Sequence, residues 1–534
     1  MRIPEIREYN GVKVLYVDDQ PFYMQAGELH NSSSSSMKYL QPILERLAEL
    51  HFNSVLLPVT WQMVEPKQGQ YNFTLVKQII DSADKLGLKL GILWFGTWKN
   101  AQCSYCPAWV KRDTETHIRA QVKKGKPFFN RPSGLMFFPY TTISPFSTAT
   151  MEADAAAFAA LMAFIRDNDP NQTVITVQVE NETGFLGGDM DYCDQSIAKY
   201  EQAVPEEFLE YLKAHTENMD AALKKQLKKN KKGTWEQVFG DLAHDVFITY
   251  YTASYVNYVA AAGKAEYPLP MSANCWMNTK GAKPGKYPTG GPVAKNFEIW
   301  QYAAPNIDIF APDLYLDDFA GGIKEYTKNG NPAYIPESKL CAWTIGRNVH
   351  MLANRNAMCY ATFGIDDVDH QMPVDMTFMG PLAGFAVGTR MGSPVSPKTL
   401  GLSNKLLKGA LPVILEKYGT DDMVAFSKEW DGYVNKATFG DYEIRSVFLP
   451  SPKKDGTLLI LKLEEDEFLF FGYMDLINFK SLNKDRPYVQ HLSIEEGEYV
   501  DGEWQTTRVL NGDEEMALIH LQPTLMKVKV DCYK

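Results

Sequence analysis

Short apolar runs alternate with amphipathic segments between residues 20 and 370 of the chain. The apolar runs are nearly continuous instead of alternating, which is typical of strands covered on both faces. Eight strand–helix units predict an α/β fold, a (β/α)8 TIM barrel. The predicted strands are 22–30, 52–61, 88–96, 173–181, 269–276, 307–315, 333–338 and 357–366. The segments with clear helical periodicity are 37–50, 75–87, 153–167 and 246–263.

The pattern of apolar residues changes after about residue 400. The segment 404–419 has helical periodicity, and short strand-like runs with turn signals follow it. This order predicts two domains, a catalytic barrel over residues 1–400 and a C-terminal accessory β-sandwich over residues 401–534. Residues 189–239, after the fourth strand, are too many for an ordinary connection and predict an insertion in the barrel.

Polar and aromatic side chains cluster where the predicted strands end. In a (β/α)8 barrel the carboxyl ends of all strands meet at one face, and active sites are built at that face. A purely structural role does not explain why these residues cluster at the strand ends. The clustering therefore indicates a catalytic site. The residues concerned are Glu28, His30, Trp61, Glu65, Trp94, Trp98, Asn181, Glu182, Asp313, Tyr315 and Glu337.

Composition narrows the classes of partner. The formal net charge of −11 argues against a nucleic-acid partner, which favours a basic face. No apolar run reaches the roughly 18 residues that a membrane span needs. Aromatic residues make up 12% of the chain, which suits sugar rings as well as an ordinary core. Cys103 and Cys106 form a C-x-x-C pair without further ligands, so we expect two loop cysteines and no metal.

Two glutamates at strand ends have the chemistry of glycoside hydrolysis, which usually needs two carboxyl groups across one glycosidic bond. Glu182 ends the fourth predicted strand and Glu337 ends the seventh. Those strand ends face each other across the mouth of an eight-stranded barrel, so the carboxyl groups can approach to the roughly 5–5.5 Å of a retaining mechanism. The alternative for each carboxylate is a structural salt bridge.

Glu180 also lies at the end of the fourth predicted strand and is the other candidate there for the catalytic carboxyl group. Strand alternation puts both side chains on one face only if the strand stays regular through the turn. Spacing alone therefore leaves the two nearly tied. We expect Glu180 to pair with a basic neighbour inside the barrel and to support the site.

The sequence around these glutamates resembles a known group of enzymes. "VQVENETG", with Asn181 and Glu182, and Glu337 in "YIPES" resemble the clan of retaining (β/α)8 glycosidases, and within it glycoside hydrolase family 35, the β-galactosidases. "AGELHNS", the block 52–73 and "LGLKLGILWFG" followed by "PAWV" resemble that family's first three strands. The segment 496–514 resembles a β-domain appended to a subgroup of the family.

The resemblance implies a role for each matching residue. Glu182 corresponds to the general acid/base, Glu337 to the nucleophile, and Asn181 to the amide that binds the sugar 2-hydroxyl. Tyr315 corresponds to the tyrosine that keeps the nucleophile ionised and oriented. We therefore expect a low pKa for Glu337, and a raised pKa for Glu182 among aromatic residues such as Trp94. No cofactor is implied.

The implied activity is a retaining, exo-acting hydrolysis that releases terminal β-linked galactose from oligo- or polysaccharides by double displacement. Two departures from the family leave the sugar open. Pro58 replaces a tyrosine of the second-strand block, and "GTWKNAQCSYC" replaces a "CAEW"-like galactose clamp, so Lys99, Asn100 and Gln102 become candidate hydroxyl binders. The residues expected to contact the sugar are Asn181, Tyr315, Glu28, His30, Trp61, Trp94, Trp98, Lys99 and Asn100.

Two alternatives to this activity stay open. The first is the same machinery with another specificity, as in a β-glucosidase, a β-xylosidase or an endo-acting enzyme. The second is a non-catalytic carbohydrate-binding protein on a barrel scaffold, and the presence of both Glu182 and Glu337 speaks against it. The N-terminal residues lack the apolar segment of a signal peptide; the resemblance implies a periplasmic or secreted enzyme if a leader preceded the chain, and a cytoplasmic one otherwise. The oligomeric state is also open.

Overall fold

The computed structural model describes residues 2–127, 141–185, 187–229, 231–277, 282–371, 392–515 and 518–534. Parallel strands and helices alternate along its N-terminal part and form the predicted (β/α)8 barrel. The barrel strands are Met24–Glu28, Ser54–Thr60, Lys89–Phe95, Val174–Val179, Met271–Trp276, Ile309–Leu314, Tyr334–Ile335 with Glu337–Ser338, and Cys359–Phe363. Each lies within one of the eight predicted segments, so the prediction of the fold is confirmed.

The seventh strand consists of two short segments on either side of Pro336, which has no N–H for a strand hydrogen bond. Tyr334–Ile335 pairs with the eighth strand, whereas Glu337–Ser338 pairs with the sixth. The eighth strand also pairs with the first, and so the ring of strands closes.

Helices surround the barrel because their apolar positions recur on one face. In Thr74–Lys85, for example, the residues buried against the strands include Val76, Ile79, Ile80 and Ala83. The helices are Met37–Glu49, Trp61–Val64, Thr74–Lys85, Ala108–Arg112, Thr148–Asn168, Ala243–Glu266, Phe297–Ala303, Phe319–Tyr326, Thr344–Arg355 and Pro397–Glu416.

One of these helices, Thr148–Asn168, is the single candidate in the described part of the chain with the length and apolar composition of a membrane span. It packs against Ala243–Glu266 in the outer ring of the barrel, and Phe158, Leu161 and Ile165 on it are fully buried. Its apolar composition is therefore that of a core helix.

A small antiparallel sheet precedes the barrel and was not predicted. Its strands are Glu5–Tyr9, Val12–Val17 and Gln20–Phe22. Leu15 and Val17 from this sheet join the apolar cluster that fills the interior of the barrel. The sheet therefore closes the end of the barrel at which the strands begin.

The segment expected to form an insertion, 189–239, contains short helices after the fourth strand. They surround an aromatic cluster of their own that includes Phe208, Trp235 and Phe239. The helices are Asp194–Tyr200, Glu206–Ala214, Ala221–Leu227 and Trp235–Phe239.

The C-terminal part forms two antiparallel sheets, of six and four strands, as expected for a β-sandwich. Alternate residues of the six-stranded sheet face in opposite directions. Ile460 and Phe470 lie in the core between the two sheets, whereas Leu459 and Phe471 belong to the core of the barrel. The strands are Met423–Ser427, Val434–Phe439, Tyr442–Phe448, Thr457–Glu464, Glu467–Tyr473, Asp475–Ser481, Tyr488–Val500, Glu503–Val509, Leu518–His520 and Thr524–Tyr533.

The helix Pro397–Glu416 joins the two parts and begins earlier than the segment 404–419 that periodicity indicates. Ser396 caps it by accepting a hydrogen bond from the backbone N–H of Thr399. Asn404 donates to the backbone of Leu50, which lies at the end of the first barrel helix. A boundary at residue 400 would cut this helix, and we propose that the β-sandwich begins after Glu416.

Candidate active site

Five ionisable side chains converge at the carboxyl end of the barrel. Each is less than 9% exposed, and electrostatic interactions connect the four carboxyl groups with one another and with the single cation. Two of them, Glu182 and Glu337, are the predicted pair, and the charge of Glu182 is one cause of the raised pKa of Glu337. The five are Glu28, Lys99, Glu182, Asp313 and Glu337.

The fourth strand does not stay regular through its turn. It ends at Val179, and both Glu180 and Glu182 have left-handed backbones, with φ of 64° and 46°. Such a conformation is unusual for glutamate and is typical of functional sites. Because the backbone turns at each glutamate, the two side chains enter different surroundings.

Glu180 supports the loop that follows the third strand. Its carboxyl group accepts hydrogen bonds from the backbone N–H of Thr97 at 3.2 Å and of Trp98 at 2.6 Å. Burial, and then the neighbouring Asp154, raise the pKa of Glu180 well above its usual range. The prediction of a basic partner for Glu180 is therefore wrong. Backbone amides hold its side chain, which faces the carboxyl group of Asp154.

Glu182 faces the other side and contacts the loop residues that replace the family's galactose clamp. Asn100 donates from Nδ2 to its Oε2, and Lys99 Nζ lies 3.5 Å from the same atom. The backbone N–H of Glu182 donates to Asn274 Oδ1 at 2.9 Å, which fixes the turn. Lys99 and Asn100 therefore lie at the expected site, as neighbours of the carboxyl group of Glu182.

Glu337 accepts a hydrogen bond from the Tyr315 hydroxyl at Oε1, as expected. Its pKa is nevertheless raised to about 7, chiefly by burial and then by the charge of Glu182. Lys99 and the bond from Tyr315 act in the opposite direction but do not outweigh those causes. The prediction of a low pKa for Glu337 is therefore wrong. The hydrogen bond from Tyr315 offsets only part of the cost of burying a second negative charge beside Glu182.

Glu28, at the end of the first strand, and Asp313, at the end of the sixth, complete the acidic group. Burial raises the pKa of each well above its usual range, and the charge of Glu337 is the next cause for both. Asn274 Nδ2 donates to Asp313 at 2.9 Å. Asn274 was not predicted as a site residue, although its position near the end of the fifth strand was a usable signal.

Asn181 is buried at the same turn, and its side-chain amide is unsatisfied. Among the described residues, neither its Nδ2 nor its Oδ1 has a hydrogen-bond partner. A buried amide without partners is costly unless a ligand supplies them. Its side chain therefore has the free donor and acceptor that a sugar hydroxyl needs.

His30 lies at the edge of the site. Its Nε2 is 2.8 Å from Asp367 Oδ2, its ring packs edge-on against Phe363, and its side chain is 43% exposed. Its charge lowers the pKa of Glu337. This exposure makes His30 a residue of the rim.

The three tryptophans expected to contact sugar have structural partners. Trp61 donates to Glu65 at 2.7 Å, Trp94 donates to Asp154 at 2.8 Å, and Trp98 donates to a backbone carbonyl at 3.1 Å. Trp61 and Trp94 have no exposed surface, and Trp98 is 3% exposed and packs on Tyr255. Buried indole N–H groups need an acceptor, and those acceptors lie in the walls of the barrel, so contact of these three tryptophans with a sugar stays a prediction.

Cys103 and Cys106 are buried free thiols in the loop after the third strand. Cys106 Sγ donates to the backbone carbonyls of Gly96 and Thr97, which accounts for its position. In the described ranges, no group of three or more His, Cys, Asp or Glu residues is arranged to hold a metal ion.

Two family models match separate parts of the chain. Residues 14–131 match "Glycosyl hydrolases family 35", and residues 400–522 match "Domain of unknown function (DUF5597)". No curated protein matches the chain.

Several solved structures resemble the chain at low identity. β-Galactosidases from Bacillus circulans sp. alkalophilus and Marinomonas ef1 are 14% and 13% identical, with TM-scores of 0.46 and 0.45. Both alignments cover 74% of this chain, which spans 57% and 61% of the length of those proteins. A catalytic mutant of a GH42 β-galactosidase from G. stearothermophilus is 11% identical with a TM-score of 0.49, over 95% of this chain and 98% of that one.

The chain combines a (β/α)8 barrel, carboxyl groups at the ends of its strands and a match to the model of glycosyl hydrolases family 35 over residues 14–131. The resemblance to glycoside hydrolase family 35, a family of clan A, is confirmed over residues 14–131, and the chain carries a DUF5597 β-domain at its C-terminal end.

Proposed function

We propose that the protein is a retaining, exo-acting glycoside hydrolase that releases terminal β-linked galactose by double displacement. The observation that carries this proposal is the burial of Glu182 and Glu337 in one group of carboxyl side chains, where the fourth strand ends and in the second half of the seventh. Two carboxyl groups of this kind are the essential requirement of the mechanism, which needs no cofactor.

In the first step Glu337 attacks the anomeric carbon and Glu182 protonates the leaving oxygen. The raised pKa of Glu337 is compatible with this assignment, because the charge of Glu182 is one of its causes. When a proton resides on Glu182, that cause disappears and Glu337 ionises more readily. The mechanism requires the proton on Glu182 and the negative charge on Glu337.

In the second step Glu182 removes a proton from water, and the water releases the sugar from Glu337. Tyr315 holds Glu337 in place through its hydroxyl group. The unpartnered amide of Asn181 is suited to the 2-hydroxyl of the sugar, a contact that strengthens in the transition state.

The preference for galactose is supported by the match of residues 14–131 with family 35. One observation favours a second candidate, the same mechanism with another sugar. Lys99 and Asn100 replace the family's galactose clamp, and both contact Glu182. They therefore change the hydrogen-bonding groups around the sugar next to the reacting bond.

A mechanism-based inactivator tests the proposal most directly. A 2-fluoro β-galactosyl fluoride is expected to label Glu337 covalently, and peptide mass spectrometry locates the label. A label on any other residue overturns the assignment of the nucleophile. Labelling by the matching glucosyl or xylosyl reagent, with none by the galactosyl reagent, supports the second candidate.

A further inference from the structure

The strand that carries Glu337 has few backbone hydrogen bonds of its own. Its segment after Pro336 has only two residues, Glu337 and Ser338, which pair with the sixth strand at Asp313 and Leu314. An ordinary strand has about five residues in register with its neighbours. The position of Glu337 therefore depends on contacts made by side chains around it.

One such contact comes from Arg347, in the helix after this strand. Its Nη1 donates to Ser338 Oγ at 3.0 Å, and Ser338 Oγ donates to the carbonyl of Leu314 at 3.2 Å. The Arg347 side chain is fully buried, and its guanidinium group lies over the ring of Phe319, 4.7 Å from the centroid. This arginine connects the residue next to Glu337 with the sixth strand.

The charge of Arg347 is neutralised from the C-terminal domain. Glu429, just after the strand Met423–Ser427, accepts from Arg347 Nε at 2.9 Å and from Nη2 at 2.5 Å. The two side chains are 0% and 6% exposed. The next residue, Trp430, stacks on Phe319, with centroids 5.8 Å apart. A buried bidentate pair thus joins the β-domain to the residue that follows Glu337.

We propose that Glu429 is a positioning residue for the nucleophile, so that the β-domain of unknown function completes the active site of the barrel. This inference rests on the proposed role of Glu337. Without Glu429 the buried guanidinium has no counter-charge, and a second cation, Lys339, lies close enough for each charge to affect the other. Arg347 then moves away from Ser338, and the short strand with Glu337 loses its lateral support.

A role in stability alone makes a different prediction from a role in positioning. A small displacement of a nucleophile lowers kcat by roughly ten- to a hundredfold, because the reacting atoms are no longer aligned. Binding of the ground state depends much less on that alignment, so KM stays nearly constant. A residue that only stabilises the fold changes neither parameter while the protein is folded.

Glu429→Gln in the full chain is the main test, because it keeps the shape of the side chain and removes its charge. With an aryl β-galactoside, well below the unfolding temperature, we expect kcat to fall roughly ten- to a hundredfold with KM nearly unchanged. Labelling of Glu337 by the 2-fluoro reagent is expected to slow in parallel. Glu429→Asp, which restores the charge, is expected to recover part of the rate.

Asn354→Ala provides a matched control at the same interface. Asn354 lies on the same helix as Arg347 and exchanges two hydrogen bonds of 2.8 Å with Ala425 of the β-domain, without contacting Ser338. Asn354→Ala is expected to lower the melting temperature of the protein without lowering kcat. An equal loss of kcat in both variants overturns the proposal, because it shows a general effect of the interface.

Ser338→Ala tests the path from Glu429 through Arg347, because it removes the hydroxyl group that Arg347 contacts and leaves Glu429 intact. If Glu429 acts through Arg347 and Ser338, the double variant has the kcat of the worse single variant. If the losses of kcat in the two single variants multiply in the double variant, Glu429 does not act through Ser338. Absence of label at Glu337 in the parent chain overturns the proposed function, whereas normal label in the parent and an equal rate in Glu429→Gln overturns the positioning role alone.

Discussion

At the scale of single residues, Lys99 is the cation of the buried acidic group. Four carboxyl groups surround it, and its own pKa is raised by the charges of Glu182, Glu337, Glu28 and Asp313 against the effect of burial. A buried lysine without such neighbours would lose its proton. The carboxyl groups therefore favour the charged form of Lys99, and Lys99 in turn lowers the pKa values of Glu28 and Glu337.

Lys99→Met is expected to move the acidic limb of the kcat/KM profile to higher pH. The pKa of Glu337 is about 7 with Lys99 in place, and the charge of Lys99 lowers it. Without this cation the pKa of Glu337 rises. A larger fraction of Glu337 is then protonated, and therefore inactive, at any given pH. Below the pKa the rate falls about tenfold per pH unit. Profiles of the parent and the variant measure the shift.

Lys99→Arg is the matched variant for this experiment, since it keeps the positive charge. Its acidic limb is expected to stay close to that of the parent. If the acidic limb moves equally in Lys99→Met and Lys99→Arg, the shape of the lysine side chain causes the shift. The electrostatic explanation is then wrong.

At the scale of elements, the turn after the fourth strand separates two glutamates that the sequence left nearly tied. Glu180 holds the third-strand loop, because its two carboxyl oxygens accept the backbone N–H groups of Thr97 and Trp98. A glutamine has one acceptor oxygen where the carboxyl group has two. The two glutamates therefore respond differently to the same substitution.

Glu180→Gln is expected to lower the free energy of unfolding by about 1–3 kcal/mol, because one of the two buried backbone N–H groups then faces an amide nitrogen and loses its acceptor. Its activity on aryl β-galactosides is expected to stay close to that of the parent. Glu182→Gln is expected to retain activity only on substrates with good leaving groups, because those need no protonation. Denaturant titration and a leaving-group series measure both effects, and equal loss of activity in the two variants contradicts the assignment.

The eight strands could be predicted because buried parallel strands have continuous apolar sequences, whatever their partners are. The orientation of the residues at their ends could not. Trp61, Trp94 and Trp98 have positions in the sequence that suit a sugar site, yet each indole N–H found an acceptor in the barrel wall. The direction of Glu180 and Glu182 depends on two left-handed residues that strand periodicity does not reveal.

At the scale of the whole molecule, the six-stranded sheet belongs to two cores at once. Leu459 on one face packs with the barrel, and Ile460 on the other packs inside the sandwich. The helix Pro397–Glu416 buries Leu407 and Ile414 in the same core as the barrel helices. The two parts therefore share enough apolar surface to unfold together.

Calorimetry is expected to show one unfolding transition for the chain. Leu459→Ala and Ile460→Ala each remove a fully buried side chain and are expected to cost about 2–5 kcal/mol. Each is expected to lower the temperature of that one transition. If Ile460→Ala instead produces a separate, earlier transition while the rest is unchanged, the two parts unfold independently.

The divided seventh strand also has a consequence for the order in which the protein becomes active. Its first half is bonded to the eighth strand and its second half, with Glu337, to the sixth. The eighth strand must in turn reach the first, which pairs Cys359 with Met24. Contacts between such distant parts of a chain form late in folding. Glu337 therefore lies on the seam of the barrel, and recovery of hydrolysis during refolding reports the moment at which that seam closes.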